Sequence, residues 1–270
     1  MLKRFAIIIE SSNVRGQADL PGARQDAMNW RSFLTSELGG AWRADEMVKH
    51  NLNKPSSAHI RSLLDLYDDR YVFLVFSGHG YEEYDRVLGR YVTKICLNES
   101  EQDVSIDSIS PKQLGTAVFD CCRGVENGQG RVKVANESFS ARCRAAFGTA
   151  EDTLGFLVRN STNAQGLARV TVANFFLQSI EKLATRVRVN MYSCRRGESA
   201  GEDPNVGGYY TTLLIQGAKA WAEGQRSSQY YAVYNTKQAH DFAVEAMQEV
   251  NSEQHPEYDP SWQAYPFAIG

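Results

Sequence analysis

Four short runs of apolar residues, rich in β-branched and aromatic side chains, are spaced along the chain. They cover 5–10, 71–77, 116–120 and 187–193, and helix-like stretches alternate with them. Runs of this length that are apolar at almost every position are typical of strands buried on both faces of a parallel sheet. The order of these elements predicts an α/β fold with a mostly parallel central sheet, covered by helices on both faces.

The stretches between the strands show the apolar spacing of helices. In the first of them Ala27, Trp30, Phe33 and Leu34 recur at helical intervals, which assigns this stripe to the core and not to a cofactor site. A turn rich in Asn, Pro and Ser precedes the second. The predicted helices span 23–38, 57–68, 167–185, 209–223 and 237–251.

One long region lacks such a pattern. Residues 125–165 are rich in Gly, Asn, Ser and Arg and show no sustained apolar period before Phe156. A loop of this length in a compact domain is usually functional or disordered. The 270 residues, 43% of them hydrophobic, suffice for one full core, so a single domain over 1–270 is predicted.

Composition excludes several classes of function. A net charge of -3 and a pI near 6.0 give no electrostatic footprint for nucleic acid or an anionic membrane. The apolar run after Lys3 and Arg4 is too short for a signal peptide, and no run approaches the ~18 residues of a membrane helix. Five cysteines form an odd set without metal-ligand spacing, which favours a reducing cytoplasm.

Two of the predicted strands end abruptly in small and reactive residues. Ser77-Gly78-His79-Gly80 closes one, and Asp120-Cys121-Cys122-Arg123-Gly124 closes the next. Ligand sites of parallel sheets lie beyond the carboxyl ends of the strands, so His79 and Cys122 are expected side by side. A neighbouring imidazole favours the thiolate and can later protonate a leaving amine. The pattern therefore predicts a Cys/His catalytic dyad.

These two segments resemble the caspase-like cysteine peptidases, which include caspases, metacaspases and their bacterial relatives. The nearest signature is Gln-Ala-Cys, then Arg, Gln or Gly, then Gly, with the histidine about 50 residues upstream. Here His79 precedes Cys122 by 43 residues. The resemblance implies a caspase-like three-layer α/β/α sandwich, with a large-subunit-like part at 1–124, an irregular linker or activation loop at 125–165 and a small-subunit-like part at 166–270.

Three further segments bring the resemblance closest to bacterial metacaspase-like proteases. Residues 20–27, Leu-Pro-Gly-Ala-Arg-Gln-Asp-Ala, are similar to the metacaspase segment that opens the first helix, with Ala23 in place of a cysteine. Residues 192–202 are similar to the segment after the small-subunit strand, although several acidic positions are shifted or missing. Residues 265–270 resemble the last strand of bacterial members.

By this resemblance each dyad residue has a role. Cys122 aligns with the nucleophile and His79 with the base, while Gly78 and the amide of Cys122 supply the oxyanion hole. A backbone carbonyl, and no aspartate, usually orients the imidazole in this family, and the sequence does not reveal which one. Strand alternation turns Cys121 the opposite way, into the core.

The resemblance also bears on specificity. Caspases form a pocket for acidic side chains with an arginine and a glutamine, at positions that here hold Leu20 and Asp120. Metacaspases use acids matching Asp26 and Asp120, with a serine matching Ser77. Two carboxylates in a partly desolvated pocket repel each other unless a cation enters. The sequence therefore predicts protein substrates that are cut after Arg or Lys.

Simpler roles stay open for the acidic residues. Asp26 could be a charge in the first turn of a helix, and Asp120 could cap the sheet edge. Glu202, like Glu198, could complete the substrate pocket or be a solvated loop charge. Glu82, Glu83, Asp85, Glu99, Glu101 and Asp103 leave a calcium requirement open, as in many metacaspases, although their spacing reproduces no known site. The chemistry itself requires no cofactor or metal.

Regulation is expected in the irregular region. An enzyme specific for Arg or Lys could cut itself at basic residues there, or these residues could bind an anionic activator such as a small nucleotide. Bacterial relatives often act in defence against phage. The basic residues in or next to the region are Arg131, Lys133, Arg142, Arg144, Arg159 and Arg169. The oligomeric state is not predicted.

Two other classes of protein are alternatives to the peptidase. A catalytically silent caspase-like module could work by binding or scaffolding, but inactive relatives often lose one dyad residue and this chain keeps both. A cysteine phosphatase needs an arginine five residues after its nucleophile, in the loop that holds the phosphate, and that position here is Asn127. The peptidase is therefore the preferred interpretation.

Overall fold

The structure, a computed structural model, describes residues 2–48, 52–53, 56–97, 103–125, 166–225 and 230–270. In chain order the strands are β1 (Arg4–Ser11), β2 (Leu52–Asn53), β3 (Tyr71–Gly78), β4 (Gly80–Asp85), β5 (Arg90–Ile95), β6 (Val104–Ser105), β7 (Gly115–Asp120), β8 (Val189–Tyr192), β9 (Glu202–Asp203), β10 (Gly207–Gly208), β11 (Val233–Asn235), β12 (Glu257–Asp259) and β13 (Pro266–Ile269). The α-helices are α1 (Pro21–Thr35), α2 (Ser57–Leu66), α3 (Gly166–Glu181), α4 (Tyr209–Gln225) and α5 (Thr236–Val250).

A six-stranded sheet forms the centre of the molecule, in the order β12-β8-β7-β3-β1-β2. Its strands are parallel except β12, which pairs antiparallel with β8. The carboxyl ends of β1, β3 and β7 therefore meet at one edge. Both parts of the chain, before 125 and after 166, contribute strands, while the predicted subdivision at 125 and 165 stays a prediction.

Alternate residues of the strands pack on opposite faces of the sheet. On β1, Ala6 and Ile8 join a cluster with residues of α1, α3, α4 and α5. Phe5, Ile7 and Ile9 join a second cluster with α2 and the small sheet β4-β5-β6. This period of two places apolar side chains on both faces of each central strand, which explains the unbroken apolar runs. The predicted α/β fold with a mostly parallel central sheet is confirmed.

The predicted helices are all present, with shifted ends. The first begins at Pro21, where a missing N–H costs nothing, and ends at Thr35, because Ser36 already has an extended backbone with ψ 160°. The pattern did not predict the small sheet β4-β5-β6, the β9–β10 hairpin, β11 or the antiparallel edge strand β12. These strands are short or lie on the surface, so they lack a long apolar run.

Most of the predicted irregular region, 126–165, lies outside the described residues, and with it Cys143, Phe156 and five of the six basic residues named above. Arg169 is described and lies in the first turns of α3. Within the described parts of the chain, none of the helices is both long enough and apolar enough to span a membrane.

Candidate active site

Strand register brings the two reactive segments together. Ser77 on β3 lies opposite Asp120 on β7, so His79 and Cys122 each follow two residues beyond a paired position. Gly80 fits directly against the second segment, because a Cβ at this position would lie 2.9 Å from the Cys122 carbonyl oxygen and 2.8 Å from Cys121 Sγ. A residue without a side chain is thus needed where the histidine loop passes the cysteine loop.

The His79 ring is buried and is held by a backbone carbonyl. Its Nε2 lies 2.7 Å from the carbonyl oxygen of Ala18. A carbonyl can only accept, so Nε2 carries the proton of the neutral ring and the lone pair is at Nδ1. Sequence reasoning expected a carbonyl in this role but could not identify Ala18, which belongs to an irregular segment between β1 and α1.

Cys122 is nearly covered, with 3% of its surface exposed. The Ala200 N–H donates to Cys122 Sγ at 3.4 Å, and the two residues form a small apolar cluster with Cys194. Cys121 points the other way and belongs to the core cluster on the opposite sheet face, as predicted. Burial raises the pKa of the Cys194 thiol well above its ordinary value, so Cys194 stays a neutral thiol near pH 7.

The predicted substrate-binding acids lie on the same sheet edge and are buried. Ser77 Oγ donates to Asp26 Oδ2 at 2.6 Å, and the Gly208 N–H donates to Asp26 Oδ1 at 2.7 Å. Asp120 Oδ2 accepts from Oγ1 and N–H of Thr211 at 2.9 and 3.2 Å. The structure thus joins Asp26 and Ser77 directly, although they are far apart in sequence.

Gly208 lies where the two carboxylates converge. A Cβ at Gly208 would lie 2.2 Å from Asp120 Oδ2 and 2.9 Å from Asp26 Oδ2. Since both oxygens are within 3 Å of one point, the two acids share a single site on this edge. The backbone of β10 covers them, and neither Asp26 nor Asp120 is exposed.

The other two acids differ from each other. Glu202 is buried on β9, and its Oε1 accepts from the Gly22 N–H at 3.4 Å, one helical turn before Asp26. Glu198 instead bonds the backbone N–H and Nδ1 of His255, both at 2.8 Å. Glu202 therefore lies near the Asp26 end of the site, whereas Glu198 is engaged with His255.

Gly78, the predicted oxyanion-hole residue, ends β3. A Cβ there would lie 2.7 Å from the Ser11 carbonyl oxygen, so the neighbouring strand β1 leaves no room for a side chain. The close packing of β1 against β3 by itself requires glycine at this position, whatever role the Gly78 N–H has in catalysis.

Comparison with known families settles the class of protein. The sequence model of the caspase domain matches residues 3–264. The chain belongs to the caspase family. It is therefore a cysteine protease, with the caspase-type α/β fold. A comparison with curated proteins gave no match.

A buried ion-pair network supports the cysteine loop of this caspase domain. Arg123 Nε donates to Glu82 Oε1 at 2.9 Å and to Thr93 Oγ1 at 3.2 Å, and its Nη1 bonds Glu257 and the Cys194 carbonyl. Burial lowers the pKa of Arg123, but Glu82 and Glu257 raise it by more, so Arg123 is firmly charged. Sequence reasoning missed this network because its members lie on five separate segments.

The described carboxylates of the acidic cluster at 82–85 have partners within the protein. Glu82 is bound by Arg123, Glu83 pairs with Lys94 at 3.2 Å, and Asp85 accepts from backbone N–H groups of its own turn. A carboxylate that already neutralises an arginine is a poor ligand for a cation. Among the described residues no three His, Cys, Asp or Glu side chains are placed to hold a metal ion; Glu99 and Glu101 lie outside them.

Proposed function

We propose that this caspase-family protein is an endopeptidase that cleaves proteins after Arg or Lys, with Cys122 as nucleophile and His79 as base. The observation that carries the specificity is the convergence of Asp26 and Asp120 at Gly208. The site is at the edge of the sheet where β3 and β7 end, next to the two reactive residues. A cation is the side chain that two adjacent carboxylates favour.

The chemistry follows from the assigned histidine tautomer. Nδ1 of His79 takes the thiol proton of Cys122, and the thiolate sulfur forms a bond to the substrate carbonyl carbon. N–H groups of Gly78 and Cys122 stabilise the oxyanion. The imidazolium, held by the Ala18 carbonyl, returns its proton to the leaving amine as the C–N bond breaks. Water, deprotonated by His79, then hydrolyses the thioester and restores the thiol.

The substrate pocket uses four residues, Asp26, Ser77, Asp120 and Glu202. Asp26 and Asp120 already accept bonds from Ser77, Gly208 and Thr211, and a guanidinium or ammonium that enters the pocket would form charge-assisted bonds with the same carboxylates. An acidic substrate side chain would bring a third negative charge to buried carboxylates. The charge of the pocket thus selects Arg or Lys over Asp.

The buried state of the site supports a regulated enzyme. Cys122 and His79 are 3% and 5% exposed, and β10 covers the two acids, so substrate entry requires a rearrangement. Self-cleavage at the basic residues of 126–165 is our preferred trigger. Activation by a small nucleotide, and a role in defence against phage, are alternatives. No disulfide joins the four described cysteines, which supports a reducing cytoplasm.

The closed site also favours a second candidate, a catalytically silent caspase-like module that binds partners. The decisive experiment measures hydrolysis of fluorogenic peptides that end in Arg, Lys or Asp, by the wild-type chain and by Cys122→Ala. Cys96→Ala, which removes another buried thiol, is the matched control. Hydrolysis after Arg or Lys that only Cys122→Ala abolishes supports the peptidase, whereas a preference for Asp contradicts the pocket assignment.

Two further measurements distinguish an enzyme that awaits activation from a catalytically silent module. If the wild-type chain hydrolyses nothing, limited trypsin cleavage before the assay mimics self-processing, and continued inactivity favours the silent module. The intact mass of the wild-type chain, compared with that of Cys122→Ala, detects self-cleavage; a wild-type chain that stays intact while it cleaves substrate rules out self-processing. Rates with calcium and with a chelator test the calcium requirement, which we expect to be absent.

A further inference from the structure

A second cavity lies at the opposite edge of the sheet from Cys122. Its volume is about 630 Å³, and it lies between the amino end of β1, the segment after α1, and α3. Small-molecule sites in proteins range over ~300–1,000 Å³. Lys3, Arg4 and Arg70 contribute to it from the amino ends of β1 and β3, whose carboxyl ends carry the peptidase residues. The cavity is therefore separate from the site described above.

Its charged lining is mainly cationic. Five cationic residues and two acids line the cavity, namely Lys3, Arg4, Arg43, Arg70 and Arg169 with Asp45 and Glu46. Both acids are already engaged: Asp45 binds Arg43 at 2.8 and 3.0 Å, and Glu46 binds Arg4 at 3.1 and 3.2 Å. Outside the lining, Arg70 Nε lies 3.7 Å from the exposed Asp69 carboxylate, and Arg169 interacts electrostatically with Glu37, so the cavity keeps a smaller excess of positive charge.

Two guanidinium groups in the lining have donors that are not used. Arg4 Nη1 and Arg70 Nε are buried and have no hydrogen-bond acceptor among the described residues. The Arg4 side chain is fully buried, fixed over the Trp42 ring at 4.3 Å. Arg169 Nη2 donates to the backbone carbonyl of Thr35 at 2.6 Å. Buried donors without an acceptor are costly, and a bound anion would supply acceptors at this place.

The remaining lining is apolar. Leu2, Val170 and Leu177 form a wall of the cavity, and Asn174 adds one amide. A bare inorganic ion would leave this wall in contact with water, whereas a ligand with an organic body would cover it. A mainly cationic lining suits an anionic head group, and arginine forks match the oxygens of a phosphate.

We propose that this cavity binds a small organic phosphate, such as a nucleoside monophosphate. The phosphate lies among Lys3, Arg70 and Arg169, and the organic body lies against the wall formed by Leu2, Val170 and Leu177. The proposal is independent of the proposed function, because it concerns binding at the other edge of the sheet and needs neither Cys122 nor His79.

The test is isothermal titration calorimetry of the full chain with AMP, adenosine, inorganic phosphate and succinate. We expect AMP to bind best, phosphate more weakly, and adenosine and succinate not measurably. Arg70→Gln and Arg169→Gln are expected to weaken AMP binding by about tenfold or more, as for loss of a charge-assisted hydrogen bond. Arg90→Gln, an exposed arginine outside the cavity, is the matched control and should leave the affinity unchanged.

Each other outcome overturns part of the proposal. Adenosine binding as tightly as AMP, or succinate as tightly as phosphate, contradicts recognition of a phosphate. If phosphate and AMP bind equally well, the apolar wall does not bind an organic body. If no probe gives a heat signal up to millimolar concentration, the cavity is not a binding site for organic phosphates. Lys3→Gln, at an exposed position, keeps the test valid if an arginine variant does not fold, which circular dichroism would show.

Discussion

At the scale of single residues, the buried carboxylate of Asp120 depends on one threonine. Thr211 Oγ1 donates to Asp120 at 2.9 Å and accepts from Trp30 Nε1 at 3.3 Å. Thr211→Val keeps the shape but removes the hydroxyl, which leaves a buried carboxylate oxygen with fewer donors and an indole N–H without its acceptor. We expect the free energy of unfolding to fall by about 2–3 kcal/mol, measured by urea denaturation.

The neighbouring residue provides the control for this change. Within the described parts of the chain, Thr212 Oγ1 donates to one acceptor, the Val206 carbonyl oxygen, at 3.3 Å. Thr212→Val should therefore cost about 1 kcal/mol or less, as for a neutral hydrogen bond. Equal losses in the two variants would show that the hydroxyl of Thr211 has no special part in holding Asp120.

His240 makes stability depend on pH. It is buried between α4 and α5, its Nδ1 lies 2.8 Å from the Tyr210 hydroxyl, and burial lowers its pKa from 6.5 to about 4. The folded chain keeps the ring neutral while the unfolded chain takes up a proton as the pH falls below about 6.5, so stability is lost from there towards pH 4.

The contribution of His240 to the pH dependence of stability can be isolated by comparison of variants. By linkage, His240 removes up to about 3 kcal/mol of stability between pH 7 and pH 4. His240→Gln retains an amide for Tyr210 but does not titrate, so its difference in unfolding free energy from the wild type should shrink as the pH falls. A difference between His240→Gln and the wild type that stays constant with pH would refute the assignment.

At the scale of elements, Arg123 connects the end of β7 with β4, β5 and β12. It reaches Glu82, Thr93 and Glu257 from the loop that carries Cys122. Arg123→Met leaves Glu82 as a buried charge without its main partner, and we expect a loss of about 3–5 kcal/mol in the free energy of unfolding. Denaturation with urea measures it.

A double change distinguishes an ion pair from simple packing. Arg123→Met combined with Glu82→Gln removes both charges and should recover part of the loss, whereas independent effects would add. Arg90→Met on β5 breaks an exposed pair with Asp107 and should cost less than about 1 kcal/mol. If Arg123→Met costs no more than Arg90→Met, the buried network does not stabilise the loop.

At the scale of the whole molecule, the sequence predicts what has a strong local pattern. Apolar runs predict the central strands β1, β3, β7 and β8, because these strands are buried on both faces. The motifs at the ends of β3 and β7 indicate His79 and Cys122. The Ala18 carbonyl, the contacts of Thr211 and the Arg123 network depend on tertiary proximity of segments far apart in sequence. No local pattern encodes such contacts, so the structure is needed to find them.

Access to Cys122 is a property of the molecule as a whole. The segment 194–201 covers the thiol through Ala200, and a residue from the other end of the chain, Gln254, fixes this segment. Gln254 is fully buried; its Nε2 donates to the Ser193 carbonyl and its Oε1 accepts from the Gly201 N–H, both at 2.8 Å. Opening of the segment must break the bond to Gly201, while the bond to Ser193, just before the segment, holds the Gln254 side chain in place.

Gln254→Ala is therefore expected to expose the Cys122 thiol. Loss of the hydrogen bond to Gly201, worth about 1 kcal/mol, raises the population of the open form about fivefold, and iodoacetamide labelling of Cys122, followed by mass spectrometry, should accelerate accordingly. Cys121, on the other sheet face, should label as slowly as before. Gln263→Ala removes a buried glutamine far from the segment and is the control. Equal acceleration at Cys121 and Cys122 would indicate global unfolding and not the release of a local cover.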